Sequence, residues 1–225
     1  MNFFAVIKIT VINSVMKIMP LANIINVAFK YVVHTCKKYN IDESHSLKHS
    51  MDVFHFANKI YDSELSANPY LLKHQNIIAV SAIVHDMCDK KYMNEQEGIC
   101  EMKEYMKDYV KEPELEVISN IISTMSYSKV KLYGYPELHE YQMAYHIVRE
   151  ADLLSAYDID RCIIYGMMKE NLTYDAALIR ALELFEERVL KYRSDNLFVT
   201  DYSKLQSEIL HNTYLENVNN MINMI

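Results

Sequence analysis

The sequence predicts an all-α fold, a compact bundle of many helices, on three observations. Residues that break helices are scarce, apolar residues recur at helical spacing, and cap residues stand where periodic segments begin. Only 3 glycines and 4 prolines occur in 225 residues, against an ordinary share of about 7% and 5%. Sheets joined by tight hairpins need glycine at many of their turns, so the shortage favours long helices with few breaks. Hydrophobic residues make up 51% of the chain, enough to pack one generous domain and too much for a disordered one.

The elements follow in order. Residues 1–24 are hydrophobic, but Lys8 and Lys17 interrupt them, and the charge-free run 18–29 holds only 12 residues and contains Pro20. A membrane span needs roughly 20 apolar residues, and no early basic cluster or small-x-small cleavage site marks a signal peptide. An N-terminal hydrophobic arm or extra packing helix is therefore expected over 1–24, ahead of a helical domain over 25–225, with no transmembrane segment. Ile25, Phe29, Val32 and Cys36 share one helical face, in a helix ending near Tyr39. After a polar loop, His49, Val53, Phe56 and Ile60 form a second face running to about Tyr61, and residues 66–69 break the chain. Residues 72–88 are apolar on nearly every side, the pattern of a central buried helix.

Asn94 with Glu97 resembles a capping box opening an acidic helix to about Lys111. Pro113 suits the first turn of the next helix, which carries Val117, Ile121 and Ile122. Gly134 and Pro136 place a loop over 127–136. Helices are expected again over 137–156, 173–192 and 200–216, with Thr173 and Thr200 as N-caps. No repeat or linker divides the chain.

Charge narrows the partners. A formal net charge of −7 gives no broad attraction for nucleic acid or anionic lipid, so stable nucleic-acid binding is not expected. The 4 cysteines contain no CxxC pair, which argues against a structural zinc site or a disulfide framework and fits a reducing, cytoplasmic setting.

The chemistry gathers around His85-Asp86, set among Ile, Val and Ala. A buried imidazole beside a buried carboxylate is costly unless something pairs with both. Alone, the dipeptide reads equally as a hydrogen-bonded core pair. His49, at the start of another helix, and Asp152, in a third apolar helix, complete a set of two imidazoles and two carboxylates. Such nitrogen and oxygen donors suit one divalent metal ion: Mn, Fe, Ni, Co, Zn or Mg. In a six-coordinate site two positions would remain open for water and substrate.

Taken together and in order, these stretches resemble the HD-domain superfamily of metal-dependent phosphohydrolases, in particular its small stand-alone members. The matching residues are Ser44-His45 with His49, the run His85-Asp86-Met87-Cys88-Asp89-Lys90-Lys91, and Glu150-Ala151-Asp152-Leu153. The segment 121–129 and Leu184 to Arg188 are similar as well. The resemblance implies a helical HD-type bundle with its metal between central helices. It also implies hydrolysis of a phosphate ester of a nucleotide or related small molecule by metal-activated water. Two departures stand out: Asp52 lies where many relatives carry Arg, and Ser155 and Asp158 replace the Asp and Gly that usually close the third element.

Asp89, three residues after Asp86, is the candidate general acid/base, or else a solvated helix-end carboxylate. Lys90 and Lys91 are candidate phosphate binders, or complements to a helix dipole. His45 is a candidate for the pocket wall or an exposed capping-region residue, and Lys129 and Arg161 are weaker candidates for the substrate. His55 and His146 lie off the ligand faces and read as core or surface residues, and His34, His74, His139 and His211 as structural or exposed. The competing reading is a non-catalytic sensor module that holds metal or nucleotide without turnover.

Overall fold

The computed structural model describes the backbone of residues 3–222 and the side chains of residues 21–218. Over that span the chain forms α1 (Phe3–Tyr39), α2 (Leu47–Glu64), α3 (Gln75–Val84), α4 (Glu95–Met106) and α5 (Glu112–Thr124). It continues with α6 (Tyr127–Tyr133), α7 (Gln142–Ser155), α8 (Ile159–Lys169), α9 (Tyr174–Glu187) and α10 (Asp201–Ile222). Short 3-10 turns lie at Glu43–His45, Pro69–Lys73, His139–Tyr141 and Val189–Lys191, and no strand occurs among the described residues. The expected arm at 1–24 falls largely on residues whose side chains lie outside the described set. No helix among the described residues is long and apolar enough to cross a membrane.

A helix that is apolar on every side has to be surrounded, and α3 is. Ile77 to Val84 are all buried, with α1, α2, α5 and α7 packed around them. In α2 only the face carrying His49, Val53, Ala57 and Ile60 is buried, and it lies against α7. The sequence reading took 72–88 as one helix; the α-helix instead begins after His74 and stops at Val84. His85 and Asp86 therefore sit in tighter turns beyond its end, in which Met87 N donates to Val84 O at 2.9 Å and Asp89 N to Asp86 O at 3.3 Å. α4 runs hard against that turn. A Cβ built on Gly98 would meet Met93 Sδ at 2.7 Å and the Cys88 Cα at 3.2 Å, so the approach requires glycine.

Two further segments differ from the sequence reading. Residues 127–136 contain α6 rather than a continuous loop. Gly134, at φ 76°, ends that helix as a left-handed residue does and does not prevent it. α8 was not foreseen at all: the Asp158 carboxylate caps it by accepting from Asp160 N at 3.1 Å, and Ile159, Ile163 and Gly166 are its buried stripe. The cap at Asn94 is present, accepting from Gln96 N and Glu97 N. Thr173 and Thr200 also cap their helices.

α7 is anchored by a buried ion pair. Arg149 Nη2 donates to Glu150 Oε1 at 3.0 Å and to Leu197 O at 2.6 Å. Glu150 in turn accepts from Val199 N, Thr200 N and the Thr200 hydroxyl, at 2.6, 3.2 and 2.7 Å. One carboxylate thus closes the N-terminus of α10 onto α7. Removing one partner leaves the other as an unpaired buried charge, which costs about 3–5 kcal/mol. Glu150→Ala is therefore expected to lower unfolding free energy by about that amount in urea titration, while Glu187→Ala, at an exposed position, serves as the mild control.

Candidate metal centre

Three helices deliver the candidate donors: His49 from the first turn of α2, His85 and Asp86 from the turn after α3, and Asp152 from the last turn of α7. His49 Nε2 lies 3.0 Å from His85 Nε2, 3.2 Å from Asp86 Oδ2 and 3.5 Å from Asp152 Oδ1. His85 Nε2 lies 3.3 Å from Asp86 Oδ2 and 3.6 Å from Asp152 Oδ1. Of the four side chains that the sequence singles out, His49, His85 and Asp152 bring donor atoms within 4.8 Å of one another, and Asp86 approaches both imidazoles without belonging to that group. Donors about 2.1 Å from a cation are separated by roughly 3.0 Å at octahedral right angles and about 3.4 Å in a tetrahedron. The observed separations of 3.0 to 3.6 Å span that range and run slightly beyond it at Asp152, and His49, His85 and Asp152 form a group that could hold a metal ion.

The far sides of the rings support the same orientation. His85 Nδ1 lies 3.0 Å from Ala82 O, to which it donates, so its Nε2 carries the free lone pair. The Ser155 hydroxyl donates to Asp152 O at 2.8 Å, and its oxygen lies 3.4 Å from His49 Nδ1. Ser155, a departure from the family pattern, thus orients the first histidine. Charge is held tightly here. Burial opposes a charged His85, but Asp86 and Asp152 outweigh it and raise its pKa to about 10. Burial likewise works against ionised Asp86 and Asp152, yet the two imidazoles hold both carboxyls well below the usual range.

His85, Asp86 and Asp152 form part of the wall of a cavity of about 390 Å³, with His49 set behind them. His45, Asp89, Lys90, Lys91, Lys129 and Arg161 all line it, so every nominated substrate or proton-handling residue borders the same space. Their settings differ from the sequence reading. Asp89 does not continue a helical face from Asp86, because the helix has ended; its Oδ1 accepts from Lys91 N at 2.8 Å. Lys90 and Lys91 likewise lie beyond the helix and do not complement its dipole. His45 is not an exposed cap but lies half-buried under Lys91 and Tyr92, and burial lowers its pKa to about 4. Lys129 is paired with Glu95 at 2.5 Å and donates to Ser123 O. Arg161 uses Nε on Ser44 O at 2.7 Å.

Other residues fall outside the centre or were missed. Asp52 pairs with Lys48 at 2.7 Å and is not among the cavity-lining residues. His55 is exposed, and His146 is buried against Tyr135 and Gln142. Sequence reasoning gave no role to Arg188 or Tyr165, which also line the cavity. Arg188 stood in a segment noted for its family likeness, which was the signal available. Tyr165 lies on the unforeseen α8.

A cation entering this centre has to displace the proton that Asp86 and Asp152 hold on His85. Metal affinity is thus expected to rise with pH, by about tenfold per unit while one proton is released per ion, and to level off near pH 10. Calorimetry in buffers of different ionisation enthalpy measures that proton. Ser155→Ala, which frees the His49 ring, is expected to weaken metal binding by about 10-fold or more.

No family model matches the sequence, and no curated protein matches it. Solved structures do. A protein from Lactobacillus plantarum superposes with a TM-score of 0.66 at 20% identity, covering 92% of this chain and 96% of that one. An HD-superfamily hydrolase from Bacillus thuringiensis superposes with a TM-score of 0.63 at 23% identity, covering 91% and 97%. Identities this low speak for architecture alone: over 91% of its length this chain has the all-α fold seen in that HD-superfamily hydrolase.

Proposed function

We propose that the protein is a metal-dependent phosphohydrolase that cleaves a phosphate ester of a nucleotide or related small molecule. The observation that carries this reading is that two imidazole nitrogens lie 3.0 Å from each other and 3.2 to 3.6 Å from two carboxylate oxygens, beside a cavity with cationic side chains in its wall. His49, His85, Asp86 and Asp152 would hold one divalent cation, whose Lewis acidity activates water near neutral pH and polarises a phosphoryl oxygen. The thiolate-free donor set suits Mn, Fe, Ni, Co, Zn or Mg.

The remaining steps belong to the chain. Lys90, Lys91 and Arg161 supply positive charge at the cavity wall, where phosphate oxygens would otherwise meet only the carboxylates. Asp89 borders the same space and would exchange a proton with the nucleophile or leaving group. Its Oδ1 accepts from the backbone of Lys91, and its Oδ2, 3.6 Å from Lys91 Nζ, would be the proton-handling atom.

The test is phosphate release from a panel of nucleoside mono-, di- and triphosphates and cyclic dinucleotides, each with Mn, Co, Ni and Mg. Release is expected with at least one metal and is abolished by Asp86→Ala. Asp89→Asn is expected to lower kcat by about 10²–10⁴-fold while metal content stays at one ion per chain. Metal and phosphate bound without turnover across the panel would favour the sensor reading. A protein that binds no metal would remove the basis for both.

A further inference from the structure

One cluster at the rim of the centre is more ordered than substrate contacts require. The 3-10 turn Glu43–His45 carries Asp42 as its cap, and two hydroxyl groups converge on that carboxylate. Ser44 Oγ donates to Asp42 Oδ1, and Tyr92 Oη donates to Asp42 Oδ2 at 2.6 Å. Both hydroxyl protons are thereby committed. The same two oxygens flank His45 Nδ1, at 2.6 Å for Ser44 Oγ and 3.1 Å for Tyr92 Oη. With no proton left to offer, they can only accept, so Nδ1 must carry the imidazole hydrogen. A ring protonated at Nδ1 and otherwise neutral has a bare lone pair at Nε2. At that lone pair, 3.1 Å away, stands Lys91 Nζ.

We infer that Asp42, Ser44, Tyr92 and His45 form a relay that fixes the tautomer of His45 and thereby aims the Lys91 ammonium into the cavity as an anion receptor. His45 is thus a positioning residue, not a substrate contact. The inference rests on the phosphohydrolase reading only for the identity of the anion. A lysine is a flexible point charge with three donors, and each partner restricts it. The His45 ring takes one N–H, Asp89 Oδ2 stands 3.6 Å away, and the Tyr165 ring lies 5.7 Å below. The ammonium can only donate, so the His45 Nε2 that it faces at 3.1 Å is its acceptor. Tyr165 also packs its ring at 5.6 Å edge-on to His45, holding the imidazole plane.

Two readouts test this, both on protein loaded with diamagnetic Mg or Zn. Nitrogen NMR of His45 at pH 7 is expected to show the neutral ring protonated at Nδ1. A ring protonated at Nε2, or at both nitrogens, overturns the relay. Calorimetric titration with inorganic phosphate reads the receptor. His45→Ala is expected to weaken phosphate about tenfold, the equivalent of about 1.4 kcal/mol, and His45→Gln, whose carbonyl can replace Nε2, to recover most of the loss. Lys91→Ala is expected to match His45→Ala, and the double variant to be no weaker than Lys91→Ala alone, because both remove one device. Additive losses, or unchanged affinity in His45→Ala, overturn the proposal while leaving the metal centre and turnover intact. Loss of phosphate release in the substrate panel, with the NMR and coupling results as expected, would instead count against the phosphohydrolase reading.

Discussion

Two imidazole nitrogens held 3.0 Å apart in a buried site, both turned toward the same point by hydrogen bonds behind them, present facing lone pairs. That arrangement is tolerable only if something positive lies between or beside them. A proton suffices, which is why Asp86 and Asp152 hold one on His85. A divalent cation would do the same for His49, His85 and Asp152, which together could hold one. The rest of the fold can be understood as the apparatus that keeps this unfavourable grouping together. Apolar α3 brings His85 and Asp86 into the core, α2 and α7 close on each other to bring His49 and Asp152 opposite, and the Glu150 clip holds α7 against α10.

The apparatus explains why adjacent residues in the chain serve such different ends. In the run Arg149-Glu150-Ala151-Asp152, the first two acidic and basic groups are spent on structure. Glu150 is fully buried and accepts from four donors, and only Asp152, on another face of the helix, reaches the centre. A motif read from sequence as one functional unit is here two units interleaved at helical spacing.

Much of this was legible in the sequence because it rests on periodicity. The all-α class, the buried central segment and three of the caps follow from composition and spacing, and the grouping of His49, His85 and Asp152 follows from polar residues set in apolar surroundings. What escaped is of another kind. The end of α3 at Val84 could not be read, since nothing in the pattern 77–88 changes where the backbone tightens. α6 was hidden by Gly134 and Pro136, which mark an end and were taken for a whole loop. α8 was hidden because its stripe is short and follows closely on the third motif. The roles of Ser155, Asp42 and Tyr92 depend on contacts across 50 or more positions, and no local pattern carries those.

Gly98 has a consequence that concerns motion. With no side chain between α4 and the backbone at Cys88, and a Cβ there already too close, no cushion separates helix from turn. A movement of the Cys88 backbone toward α4 would therefore meet the helix at once, with no side chain on Gly98 to give way. The opposite side of α4, exposed at Gln96, Glu97 and Cys100, is where a solvent probe would sense such a push.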